Sequence, residues 1–106
     1  MNIELIEVYQ ERNISYKDQS VSKQEYSLRK VYINPEHVVC MRMDDAMCRR
    51  LVEGQLPPDL NSQQEFTRLY INRGQTGLDV IVVGNPALVQ EKIDSASSRK
   101  KELLKG

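Results

Sequence analysis

The chain has 106 residues, of which 40% are apolar, and this is enough for one small domain with a modest core. Its 15 basic and 15 acidic residues cancel, which argues against a general nucleic-acid binder, because such proteins need excess Lys and Arg to displace counterions. No apolar run approaches the roughly 18 residues that span a bilayer, the start carries Glu4 and Glu7 rather than a basic leader, and two cysteines are too few for a disulfide framework. We therefore expect a cytoplasmic protein without membrane contact.

The first predicted strand, Asn2–Tyr9, carries apolar residues on both faces. Ile3 and Leu5 share one face, and Ile6 and Val8 share the other. A strand with one solvent-exposed face would alternate apolar with polar residues, so this pattern predicts a strand with other parts of the protein packed on both faces. The polar stretch after it, 10–24, predicts a long loop or a hairpin tip.

A second strand is predicted at Glu25–Ile33, and Asn34 with Pro35 then favours a helical turn over residues 35–37. A third strand follows at Val38–Met43. Strict alternation predicts that Val39, Met41 and Met43 share a face, opposite Val38, Cys40 and Arg42.

Asp44 and Asp45 can cap a short helix that ends near Val52, with Gly54 at the position of a C-terminal cap. The stretch Gln55–Gln64 contains two prolines and an Asn-Ser pair, which predicts a mobile loop.

A hairpin is the strongest feature of the sequence. Phe66–Asn72 and Leu78–Val83 both have strand composition, and Gly74 and Gly77 lie between them, where a turn needs residues that accept positive φ. We expect an antiparallel pair with Val80 and Val82 buried.

The C-terminal part predicts an amphipathic helix that begins at Pro86 and runs to about Ser97, with Asn85 as its cap in the same way as Asn34 before Pro35. Residues 1–97 then form a single domain, and residues 98–106 form a basic tail or an extension of the helix. The expected fold class is α+β: a mostly antiparallel β-meander of about five strands, with a short inserted helix and a C-terminal helix.

The residue types that bind metals are few. His37, Cys40 and Cys48 could contribute, with Asp44 or Asp45 completing a set, but a structural zinc site needs four ligands and a catalytic one three plus water. We interpret both cysteines as reduced and packed, and we predict no metal, no cofactor and no catalytic residue. The cluster of Met41, Met43 and Met47 suits a core or an adaptable interface.

Aromatic and basic residues alternate along the predicted strands. This pattern, in which Arg29, Lys30 and Arg68 lie close to tyrosines, is also found in sheets that stack single-stranded bases. Zero net charge opposes it, so strong binding of nucleic acid is not expected. The tyrosines are Tyr9, Tyr16, Tyr26, Tyr32 and Tyr70.

Three stretches resemble the small FlbD-type proteins of bacterial flagellar and swarming systems. They are Tyr32–Val39, Thr67–Gly74 and Val80–Ile93, and the resemblance that they carry covers about half of the chain. The resemblance implies a bacterial, cytoplasmic accessory protein without an active site.

The sequence therefore predicts a non-enzymatic interaction module that forms a homodimer or binds another protein. A small β-domain that binds single-stranded nucleic acid is the alternative, and a small-molecule enzyme without a recognisable motif comes third. The residues predicted for the interaction surface are apolar ones of the first strand and the tail: Ile3, Leu5, Ile6, Val8, Leu103 and Leu104.

Overall fold

The computed structural model describes residues 2–10, 25–74 and 77–105, and side chains through residue 96. The predicted loop at 11–24 lies outside these residues. The elements follow in the order β1 (Ile3–Gln10), β2 (Tyr26–Ile33), a 3-10 turn (Pro35–His37), β3 (Val38–Met43), α1 (Asp45–Val52), β4 (Phe66–Asn72), β5 (Gly77–Val83) and α2 (Pro86–Lys105).

All five strands form one antiparallel sheet with the spatial order β2-β1-β5-β4-β3. The predicted α+β class is therefore confirmed, including the inserted helix, the C-terminal helix and the β4–β5 hairpin. Val80 and Val82 are buried in that hairpin, as predicted. Helix α2 continues beyond Ser97 to Lys105, so residues 98–105 extend the helix.

The connection between β2 and β3 shows that the sheet is strongly curled. These strands are the two edges of the sheet, but only residues 34–37 join them. Four gaps between neighbouring strands would separate the edges of a flat sheet by about 19 Å. Three of the four joining residues form a 3-10 turn, which rises only about 2 Å per residue. The edges must therefore approach each other at this end.

Each face of the sheet has its own apolar cluster. On the face under α2, Val89 is buried against strand residues, and Ile93 and Ala96 pack beside it. On the face under α1, Met47 and Leu56 are buried against Phe66 and Val8. The two helices thus cover opposite faces, and the sheet is the middle layer of the domain.

The caps that the sequence predicted are present. Asp44 Oδ1 accepts a hydrogen bond from the N–H of Met47 at 3.0 Å, and Asn34 and Asn85 cap their turns through Oδ1 in the same way. Gly54 has φ +80°, which suits the end of α1. Neither helix, over the described residues, is long and apolar enough to cross a membrane.

The predicted facing of β3 holds from Cys40 to Met43 but was wrong at Val38 and Val39. The pairing with β4 shifts between Val38 and Cys40, which leaves Val39 as a bulge. Val38 therefore lies on the core face with Met41, and Val39 is 67% exposed. A single inserted residue reverses the alternation that the sequence pattern assumes.

The stretch 55–64 is packed onto the domain rather than projecting into solvent as a mobile loop would. Leu56 is buried in the cluster under α1, and Leu60 packs against it. The Gln55 carbonyl accepts hydrogen bonds from the N–H groups of Glu25 and Tyr26, each at 3.0 Å. Apolar residues on either side of the proline pair thus anchor this segment to the core.

Candidate interaction surface

The first strand does not supply the apolar surface that its sequence suggests. Ile3, Leu5 and Val8 are each at most 6% exposed, and Ile6 is half-buried. The prediction that both faces are covered is confirmed, but the cover comes from α2 on one side and from α1 with Leu56 on the other. The side chains of Leu103 and Leu104 lie outside the described part of the chain.

The hydrogen-bond register shows which backbone groups the sheet leaves open. The N–H of Gly84 donates to the carbonyl of Glu65 at 2.8 Å. The backbone N–H and C=O groups of even-numbered residues of β5 therefore point towards β4, and those of odd-numbered residues point towards β1. Ile81 pairs with Val8, so the backbone N–H and C=O groups of even-numbered residues of β1 point towards β5, and those of odd-numbered residues point towards β2. The odd-numbered residues of β1 pair with residues 27, 29, 31 and 33 of β2. The backbone N–H and C=O groups of the even-numbered residues of β2 therefore point away from β1, at the outer edge of the sheet.

Two further contacts agree with this assignment of the backbone groups. Lys92 Nζ lies 3.4 Å from the carbonyl of Glu4, on the side of β1 that faces away from β2. The outward N–H of Tyr26 donates to Gln55. After Tyr26, the outward groups of β2 belong to Leu28, Lys30 and Tyr32, and β2 pairs with no strand other than β1 among the described residues.

The two edge strands differ in how they are protected. β3 has a bulge at Val39, which interrupts the regular spacing that a second strand would need. β2 runs for eight residues without a bulge or a proline and pairs in register along its whole length. The ring of Tyr32, at 62% exposure, extends from the open part of this strand. β2 is therefore the edge better suited to pairing.

The basic residues that the sequence placed beside tyrosines are paired with carboxylates. Arg29 Nε lies 2.8 Å from Glu7 Oε1, and Lys30 Nζ lies 3.4 Å from Glu4 Oε1. The hydrogen bond and charge of Glu7 raise the pKa of Arg29 above its ordinary value.

The third of these basic residues, Arg68, lies between two acids. Its Nη2 is 3.1 Å from Asp44 Oδ2 and its Nη1 is 3.3 Å from Asp79 Oδ2, and the hydrogen bond to Asp44 is the main reason that the pKa of Arg68 is raised. Cations held in this way are less available to nucleic-acid phosphates.

The residues considered as metal ligands lie on separate elements. His37 ends the 3-10 turn, Cys40 is exposed on β3, and Cys48 is half-buried on α1. No group of three or more His, Cys, Asp or Glu side chains within the described ranges is placed to hold a metal ion. The expectation that both cysteines are packed was wrong for Cys40, which pairs with Tyr70 on the face opposite Val38 and is exposed.

The two thiols should differ in reactivity. Burial raises the pKa of the Cys48 thiol, and its Sγ lies 3.9 Å from the carbonyl of Gln64. We expect iodoacetamide at pH 7.5 to label Cys40 at least about tenfold faster, because the thiolate is the reactive form and must be accessible. Mass spectrometry of a time course measures both rates, and Cys40→Ser should remove the fast phase alone. Equal rates at the two positions would contradict this prediction.

A groove of about 790 Å³ separates the N-terminal half of β1 from α2. It arises because β5 leaves the sheet at Gly84, which has φ +112°, so residues 3–6 of β1 lose their neighbour on this side. Leu88 is 52% exposed at its border, while Ile3 and Leu5 form its floor. No sequence pattern predicts this groove, since it depends on where β5 departs from β1.

No family model, no curated protein and no solved structure matches this chain.

Proposed function

We propose that the protein is a non-enzymatic interaction module of the bacterial cytoplasm and that it self-associates through β2. The observation that carries this proposal is that, among the residues that the structure describes, no strand pairs with the outer edge of β2 at Leu28, Lys30 and Tyr32. Regular edges with unpaired N–H and C=O groups readily accept another strand, and proteins that do not use them interrupt them.

A second copy is the partner that fits this edge most simply. Two β2 strands related by a twofold axis run antiparallel, so each supplies the donors and acceptors that the other lacks. The side chains of this edge include Tyr32, which offers a large amphipathic ring, and Lys30, whose charge is balanced by Glu4 within its own chain. This balance reduces the repulsion between two copies.

Replacement of one outward-facing residue tests the proposal. Lys30→Pro removes an N–H that points away from β1, so the pairing of β1 with β2 keeps its hydrogen bonds while a second β2 strand loses one. We expect sedimentation equilibrium at about 10–100 μM to show a dimer of the 12.3 kDa chain and a dissociation constant at least about tenfold weaker for Lys30→Pro.

The matched control is Lys30→Ala, which removes the ion pair with Glu4 and keeps the N–H. This variant should dimerise like the natural chain, because exposed ion pairs contribute little to stability. Circular dichroism shows whether each variant is folded. A natural chain that stays monomeric over this range rejects self-association, and a folded Lys30→Pro variant that dimerises as tightly as Lys30→Ala rejects β2 as the interface.

A further inference from the structure

We infer that the end of the curled sheet beside the 3-10 turn binds a small aliphatic carboxylate. This function goes beyond the proposed pairing of β2. A pocket of about 300 Å³ lies there, between the end of β2 and the turn of the β4–β5 hairpin. It joins residues of β2 to residues of β4 and β5, strands that are not neighbours of β2 in the sheet.

The floor of this end pocket is apolar. Ile33, Ile71 and Val80 are buried core residues with exposures of 6–7%, and they line the pocket with Val31. Leu78 lies at the entrance and is 52% exposed. Apolar side chains on several sides favour a hydrocarbon group in the interior of the pocket.

The rim of the end pocket is basic. Arg73 lies in the β4–β5 turn with its side chain exposed, and His37 lines the pocket from the 3-10 turn. Arg29, Lys30 and Arg68 each have a carboxylate partner, whereas Arg73 forms no ion pair with the residues that the structure describes. An unpaired guanidinium beside an apolar pocket favours a ligand with an anionic head, and a carboxylate matches its forked donors.

The two acids that lie next to rim residues in the described sequence, Glu36 and Asp79, do not line the pocket. Asp79, which follows Leu78, lies on the opposite face of the sheet and is held by Arg68 at 3.3 Å. Glu36 precedes His37 and is exposed, and it does not line the pocket. The charge at the entrance is thus that of Arg73, with His37 as a second donor.

The volume limits the size of the ligand. The pocket is at the lower end of the range for small-molecule sites, and about 30 Å³ corresponds to one water molecule of liquid. Ten such volumes accommodate a chain of about six carbons with its carboxylate, so hexanoate is a suitable probe.

Titration of the full chain with hexanoate, followed by ¹H–¹⁵N chemical shifts, tests the inference. We expect saturable shifts at Ile33, Ile71 and Val80, and no comparable shifts with hexylammonium. Arg73→Ala should weaken hexanoate binding about tenfold, which is the usual effect of losing a charge-assisted hydrogen bond, and Arg73→Lys should weaken it less.

The control is Arg49→Ala, an exposed arginine of α1 that does not line the pocket, and it should leave the affinity unchanged. Equal binding of hexanoate and 1-hexanol, shifts confined to other parts of the chain, or an Arg73→Ala variant with unchanged affinity would each overturn the inference. Tyr32 lines this pocket and also belongs to the outer edge of β2, so sedimentation of the same samples with and without hexanoate measures dimerisation separately.

Discussion

Phe66→Ala should lower the free energy of unfolding by about 3–5 kcal/mol, which is the usual cost of removing a buried aromatic side chain. Phe66 is fully buried and lies between Val8 on the sheet and Met47 and Leu56 on the covering layer. A small domain has only about 5–15 kcal/mol of stability, so this single change should remove a large part of it.

Urea denaturation followed by far-ultraviolet circular dichroism measures the effect. Phe66→Leu serves as the control, because it keeps most of the volume and should cost about 1–1.5 kcal/mol. A loss below about 1 kcal/mol for Phe66→Ala would mean that α1 and the segment 55–64 do not pack on this face of the sheet.

Asp44→Ala should cost about 2–3 kcal/mol, because one side chain performs two tasks. Its Oδ1 caps α1 at the N–H of Met47, and its Oδ2 accepts from Arg68 Nε and Nη2 at 3.2 and 3.1 Å. Loss of a cap costs about 1 kcal/mol, and loss of a hydrogen bond between charged groups costs about 1.5–3 kcal/mol. Arg68 keeps Asp79 and is about one-third exposed, so the second contribution is at the low end of this range.

Asp44→Ser separates the two tasks, since serine can cap the helix but carries no charge. We expect it to recover about 1 kcal/mol of the loss seen with alanine in the same urea experiment. An alanine variant within about 0.5 kcal/mol of the natural chain would show that Asp44 neither caps α1 nor holds Arg68.

The parts of the fold that short-range chemistry determines were predictable from sequence. The three caps need only a side-chain oxygen beside the first N–H groups of a turn, and the β4–β5 hairpin needs two strand patterns around glycines. The two apolar faces of β1 also indicated that both sides are covered. Their residues alone could not show that α1 and Leu56 provide part of this cover, because that depends on contacts distant in sequence.

The proposed interaction surface was harder to predict, because the exposure of an edge is a property of strand order. The period of Glu25–Ile33 indicates a strand, but it carries no information on whether that strand is central or at an edge. The bulge at Val39 is likewise invisible to alternation, and it changes which residues of β3 face the core. No sequence pattern predicted the position of Arg73 at the rim of the end pocket, since this position follows from the curl that brings β2 towards the β4–β5 hairpin.

Amide hydrogen exchange on β2, at about 1 μM and about 100 μM chain, tests pairing through this edge most directly. Arg29 and Val31 donate to β1 and should be protected at both concentrations, whereas Leu28, Lys30 and Tyr32 have outward N–H groups. If two copies pair through β2, outward amides that exchange rapidly in the dilute sample become at least about tenfold slower in the concentrated one. Exchange at Leu28, Lys30 and Tyr32 that is equally rapid at both concentrations, in a sample that sediments as a dimer, would contradict pairing through this edge.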